Sequence, residues 1–265
     1  MYKFIDINGY QDNQKGFTLF FDNQDIKKII PGMTIIDVIG RDEIERELYT
    51  YDGIKGRNGS FFTGYNYKHR VIKVIVNIDF KDAADFRYLI EKSKIFLSRE
   101  YLKPLVFSDE KDLIFDVIYK SLRVSEEHQN SFEVEIEFYS PSSFKRTKPI
   151  ELKFSNNKAT VQDDSLEYRI YEVKGTINSN VVEIINISKG VRLKLKGLNS
   201  TGSLVITRDK ITINGVNSIT KIDESISVWK TFPLKRNDEI QIKGLSNVSF
   251  KVEGLRLWFI YTIRN

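Results

Sequence analysis

The sequence predicts an α+β domain, a β-barrel-like sheet with one amphipathic helix, followed by an all-β domain of sandwich or jelly-roll type. Three observations carry that prediction. Alternating and β-branched runs dominate the chain, a single segment has helical spacing, and a break rich in serine and proline divides the sequence.

The first strand signal is residues 71–80, where Ile72, Val74, Val76, Ile78 and Phe80 fall on one face. The segment from Lys81 to Arg99 differs. Its apolar residues Phe86, Leu89, Ile90, Phe96 and Leu97 recur at helical spacing, which predicts a helix near 82–99 laid against a sheet. Asp82 and Asp85 suit the positive end of its dipole, Lys94 and Arg99 the negative end, and Pro104 soon follows. Residues 132–138 alternate strictly, with Glu133, Glu135 and Glu137 opposite the apolar face. Three glutamates so placed repel unless they are solvated or paired with cations from a neighbour.

Residues 140–149 hold two prolines and three serines and read as a linker, separating a domain of residues 1–143 from one of 144–265. Charge changes there too. The first 143 residues carry 20 Lys and Arg against 24 Asp and Glu, and the remainder 21 against 12. Beyond the break, short strands are predicted at 181–187, 191–195, 203–207, 210–213, 240–243, 247–252 and 256–263, with Asn214-Gly215 as a tight turn.

Composition narrows the function classes. Of 265 residues, 41% are hydrophobic and 12% aromatic, a globular balance. Cysteine is missing, which excludes disulfides and thiolate metal sites. Met1–Phe4 run at once into Asp6, Asn8 and Asp12, unlike a secretory signal, and no apolar run is long enough to span a bilayer.

The search for chemistry returns little. His69 and His128 are the only imidazoles, and neither has metal-ligand spacing. No G-x-S-x-G elbow is present. Gly56-Arg57-Asn58-Gly59 and Gly64 form a glycine-rich stretch without a following G-K-[ST], and a strand comes next, so it reads as a turn. Asp109, Glu110 and Asp112 cluster in another turn. No catalytic, cofactor-binding or metal-binding residue is assigned. Trp229 and Phe232 are candidates for sugar stacking, whereas Trp258 and Tyr261 lie in a closing strand that fills a core. Cations of the second domain are scattered, and Arg192, Lys194 and Lys196 share one solvated strand face.

Residues from about Asp52 to Phe144 resemble the distal tail protein family of siphophages. The resemblance rests on the order of several parts. These are Gly56-Arg57-Asn58-Gly59-Ser60-Phe61-Phe62, then Arg70-Val71-Ile72, the acidic helix start Asp82-Ala83-Ala84-Asp85-Phe86, the turn Pro104-Leu105-Val106-Phe107-Ser108-Asp109-Glu110, and the exit Phe138-Tyr139-Ser140-Pro141. The second domain resembles the family's later half more loosely. A hairpin from Leu204-Val205-Ile206-Thr207 to Asn214-Gly215 precedes Phe232-Pro233-Leu234-Lys235-Arg236-Asn237-Asp238, which lacks the family's usual Pro-Gly.

The resemblance implies a non-enzymatic hub at the virion tail tip, with no cofactor and no membrane. It implies a homo-hexamer, a sixfold ring joining the tail tube protein to tail fibre, tail-associated lysin or baseplate proteins, with DNA only passing through. The first domain would be tail-tube-like and build the ring, and the second would be galectin-like. Gly56, Arg57, Asn58, Gly59, Phe61, Phe62 and Gly64, with the N-terminal hairpin, are the candidate ring contacts. Two other readings stay open. One is a carbohydrate-binding module that attaches the particle to cell-wall polysaccharide, its basic second domain meeting anionic polymers. The other is a wall hydrolase acting through Glu135 or Asp109.

Overall fold

The computed structural model describes residues 17–51, 59–127, 131–162, 165–199 and 201–256. The protein is mostly β and divides into two compact units between Lys145 and Arg146.

In chain order the first unit holds β1 (Leu19–Phe21), β2 (Gln24–Asp25), the single turn α1 (Ile26–Ile29), β3 (Met33–Ile39), β4 (Arg46–Tyr51) and β5 (Phe61–Tyr67). There follow β6 (Arg70–Asp79), α2 (Ala83–Leu97), β7 (Lys103–Phe107), β8 (Leu113–Glu127) and β9 (Ser131–Ser140). The antiparallel order is β3-β6-β9-β8-β7-β1-β2, with β4 and β5 forming a separate pair. Within the first unit, β8 is shared between β7 and β9. Its first part lies opposite β7, from Phe115 to Val117, and the rest lies opposite β9, from Ile118 to Glu127.

Register explains the core. β6 and β9 pair without a bulge from Arg70 opposite Ser140 to Asp79 opposite Ser131. The alternation therefore points Ile72, Val74, Val76 and Ile78 the same way as Phe132, Val134, Ile136 and Phe138, and all eight are fully buried. Each such burial contributes about 1.5–3 kcal/mol. The glutamates on the opposite face meet lysines of neighbouring strands. Glu135 lies 3.3 Å from Lys73, and Glu137 lies 2.6 Å from Lys120. The hydrogen bond from Lys120 holds the Glu137 carboxyl below its ordinary pKa.

Helix α2 closes the core with Leu89, Phe96 and Leu97, while Phe86 and Ile90 pack at its margin. It is shorter than the predicted 82–99 because its ends are capped. The Asp82 side chain accepts from the amides of Ala84 and Asp85, each at 2.9 Å, and Ser98 is already extended.

β10 (Lys145–Thr147) carries the chain across the division, so the predicted linker includes a short strand. The second unit continues with β11 (Ile150–Leu152), β12 (Lys158–Thr160), β13 (Glu167–Ile177), β14 (Val181–Asn186) and β15 (Val191–Lys196). Then come β16 (Gly202–Thr207), β17 (Ile211–Ile213), β18 (Val216–Asn217), β19 (Glu239–Lys243) and β20 (Leu245–Arg256). One sheet runs β18-β17-β16-β13-β20-β11 and the other β12-β19-β14-β15. Side chains of both, including Val173, Leu204 and Phe250 from the first and Ile184, Leu193 and Ile242 from the second, share one core, which makes a sandwich. Asn214 and Gly215, both at positive φ, turn β17 tightly into β18. β13 was not anticipated. Bulges after Ile170 and Lys174 break its alternation. The predicted strand 256–263 begins at the last residue of β20 and otherwise lies outside the described residues.

Candidate functional site

The feature of the first unit that its own core does not explain is the β4–β5 hairpin. Every residue of β4 is exposed, and no residue of β5 is buried. Pairing runs from Arg46 opposite Tyr67 to Tyr51 opposite Phe61, with Thr63 as an extra, bulged residue beside Gly64 at φ +156°. The bulge resets the alternation and brings Phe62 next to Tyr65, their rings stacked at 6.4 Å. Tyr65 meets Tyr67 edge-on at 5.5 Å, and the Arg46 guanidinium lies over both rings at 4.5 and 5.3 Å. Elsewhere in the hairpin the Asn66 amide donates to the Tyr49 hydroxyl at 2.9 Å. Phe62 is 62% exposed, Leu48 60% and Tyr51 57%. An isolated two-stranded hairpin is marginally stable in water, and clustered exposed aromatics mark a contact surface.

The hairpin is fixed at its base by charge. Lys145 is fully buried, and its ammonium reaches Asp42 at 2.7 Å and Glu110 at 3.1 Å. Arg41 pairs with Asp109 at 2.8 Å. The Arg70 guanidinium donates to the carbonyls of Arg41 and Ser143. The Phe115 ring lies 5.5 Å from the Arg70 guanidinium and 5.2 Å from the Lys145 ammonium. Burial works against the Asp42 carboxylate, but its hydrogen bond to Lys145 prevails and holds its pKa below the ordinary value. Burial likewise opposes the Arg41 cation, and the bond to Asp109 raises its pKa. Next along the chain, Lys68 pairs with Glu45 where the hairpin leaves the sheet. These contacts hold residues 41–45, which lead into β4.

The predicted contact residues are only partly brought together. Gly56, Arg57 and Asn58 lie outside the described residues. Gly59 has φ +89°, and no atom of the described residues lies within 4 Å of where its Cβ would stand. Phe61, Phe62 and Gly64 lie within strand β5, so Gly64 is not in the turn that the glycine-rich reading expects. Gly64 serves the bulge. Sequence reasoning missed Lys145, which had the look of a solvated linker lysine, and it missed the exposed Leu48, Tyr49 and Tyr51.

The sugar-stacking candidates separate. Phe232 is 4% exposed and belongs to the sandwich core, so it has no free face for a sugar, a correction to the sequence reading. Trp229 is half-buried at the edge of that core, its indole N–H donating to the Thr207 carbonyl at 3.2 Å. Among the described residues no three His, Cys, Asp or Glu side chains are grouped to hold a metal, and no helix is long and apolar enough to cross a membrane.

Residues 17–140 match the model of the phage tail protein RIFT-related domain family. No protein of curated function matches the chain. Among solved structures, the Dit (gp 19.1) protein of phage SPP1, described as a paradigm of the hub adsorption apparatus in phages infecting Gram-positive bacteria, aligns with a TM-score of 0.74 at 20% identity. That alignment covers 92% of this chain and 99% of that one. A chain of the phage P2 baseplate, in its activated conformation with calcium, aligns with a TM-score of 0.60 at 10% identity over the same shares. Residues 17–140 thus carry a phage tail protein RIFT-related domain, and over 92% of its length the chain shares the fold of the SPP1 Dit protein.

Proposed function

We propose that the protein is the structural hub of a siphophage tail tip, a homo-hexameric ring that joins the tail tube to baseplate or tail fibre proteins and lets DNA pass. The single observation that carries the ring is the β4–β5 hairpin. It presents Leu48, Tyr51, Phe62 and Tyr65 to solvent while its base is locked by the buried Lys145 network. A closed ring needs two different surfaces of one subunit to meet, and a projecting apolar ribbon supplies one of them. Strand β3 supplies a second feature of the right kind: among the described residues it pairs only with β6, and Ile36 and Ile39 are exposed along it. The net negative charge of the first 143 residues suits a channel that phosphates must cross without sticking. The second unit, on this reading, is a galectin-like sandwich.

Native mass spectrometry of the purified protein tests the ring. Six chains of 30.9 kDa give a species of about 185 kDa, and closed cyclic symmetry makes that mass discrete. The triple variant Leu48→Ser, Phe62→Ser, Tyr65→Ser is expected to be a folded monomer. A hexamer that survives those changes would remove the hairpin from the interface. A wild-type monomer at every concentration would remove self-assembly from the isolated chain.

A further inference from the structure

The second unit contains a cavity of about 320 Å³ between the start of β13, the end of β16 and the segment from Trp229 to Lys235. That volume is at the low end of small-ligand sites. Its floor is the rim of the core, and Trp229 is pinned there by its bond to the Thr207 carbonyl. Its walls are cationic. Arg208, Lys230 and Lys235 border it and are exposed, and among the described residues none of the three has a carboxylate partner. Other lysines of this unit do pair with carboxylates, as Lys158 with Glu239, Lys194 with Glu183 and Lys196 with Asp223. The Lys230 ammonium lies 6.0 Å from the Trp229 ring.

We infer that this cavity binds an anionic saccharide, with a sugar ring against Trp229 and its phosphate held by Arg208, Lys230 and Lys235. An indole held at a fixed angle offers a flat apolar face to the C–H side of a pyranose. Three cations with no carboxylate partner among the described residues favour a phosphate, the more so in a partly enclosed site. Glu167 and Thr231 also line the cavity. A carboxylate repels a phosphate chain but accepts hydrogen bonds from hydroxyls, and that combination fits a polyol phosphate better than a nucleic acid. Phe232 takes no part. The inference does not depend on the ring, because every lining residue belongs to the second unit.

Calorimetry and tryptophan fluorescence on the full-length protein test it, with glucosylated poly(glycerol phosphate), glucose 6-phosphate, glucose and inorganic phosphate as probes. The polymer or the sugar phosphate is expected to bind, glucose and inorganic phosphate about tenfold more weakly, and affinity to fall with salt. Binding of the polymer alone identifies an extended chain as the ligand, and equal binding of glucose 6-phosphate identifies a free sugar phosphate. Arg208→Gln with Lys230→Gln should weaken binding about tenfold at unchanged thermal stability. Of the two tryptophans, Trp229 should carry the fluorescence response, so Trp229→Phe should abolish that signal and weaken binding. No binding by either phosphate-bearing probe would overturn the inference. So would binding indifferent to the double variant, a signal that persists in Trp229→Phe, or inorganic phosphate binding as well as the sugar phosphate.

Discussion

Two hairpins of similar length behave in opposite ways in this protein. β14–β15 buries alternate residues, Val182, Ile184, Leu193 and Leu195, and covers its outer face with ion pairs between Glu183 and the cations Arg192 and Lys194. β4–β5 buries nothing and presents aromatic residues to solvent. The first hairpin is stabilised by the core beneath it. Among the described residues, the second is tied to its unit at its base, by the salt bridges around Lys145, the Lys68–Glu45 pair and the edge-on contact of Tyr67 with Phe144. The apolar surface of β14–β15 is covered within the chain, and on the proposed ring reading that of β4–β5 is covered by a neighbouring subunit.

Several measurements would break or sharpen that contrast. The largest effect is expected at Lys145. Lys145→Ala leaves Glu110 buried without its cation and should cost about 4 kcal/mol of unfolding free energy in a denaturant titration. Lys145→Met combined with Glu110→Leu should recover most of that loss; if it does not, the network holds more than charge. Next comes the direct comparison of the two hairpins. Leu193→Ala should cost about 3 kcal/mol, whereas Phe62→Ala should change the stability of the isolated chain by no more than about 0.5 kcal/mol. Equal losses at the two sites would mean that β4–β5 is covered within the monomer. Gly190 turns β14 into β15 at φ +67°, and Gly190→Ala should cost about 1 kcal/mol by calorimetric melting.

The smallest effect is acid. A carboxylate held low in the fold contributes stability above its unfolded pKa and loses it as pH falls through the folded value. Asp42 is held low, so stability should decline as pH drops below about 4, and Asp42→Asn should flatten part of that decline. The Asp42 side chain is 55% exposed, so water screens its pair and the contribution is modest.

The sequence displayed what repeats and concealed what depends on distant partners. Residues 132–138 could be read as a strand because their alternation continues into an unbulged register with β6. Helix α2 was legible because its apolar residues recur at helical spacing and Asp82 and Asp85 put negative charge at its start. β13 was not, because its two bulges destroy the period on which such reading relies. Lys145 was hidden for a different reason. A lysine among serines and prolines looks solvated, and only the fold brings Asp42 and Glu110 to it from 103 and 35 residues away. Phe232 misled by its company, since an aromatic beside a tryptophan and a proline in a loop gives no sign of pointing into the core.

Strand β8 also has a mechanical meaning. Because one continuous backbone is laced to β7 at one end and to β9 at the other, a pull along it loads both ladders in shear, and many bonds must fail together. Peeling either neighbour away first would leave β8 fastened by the other. By this geometry the strand works as a tie-rod for a tension applied along its line.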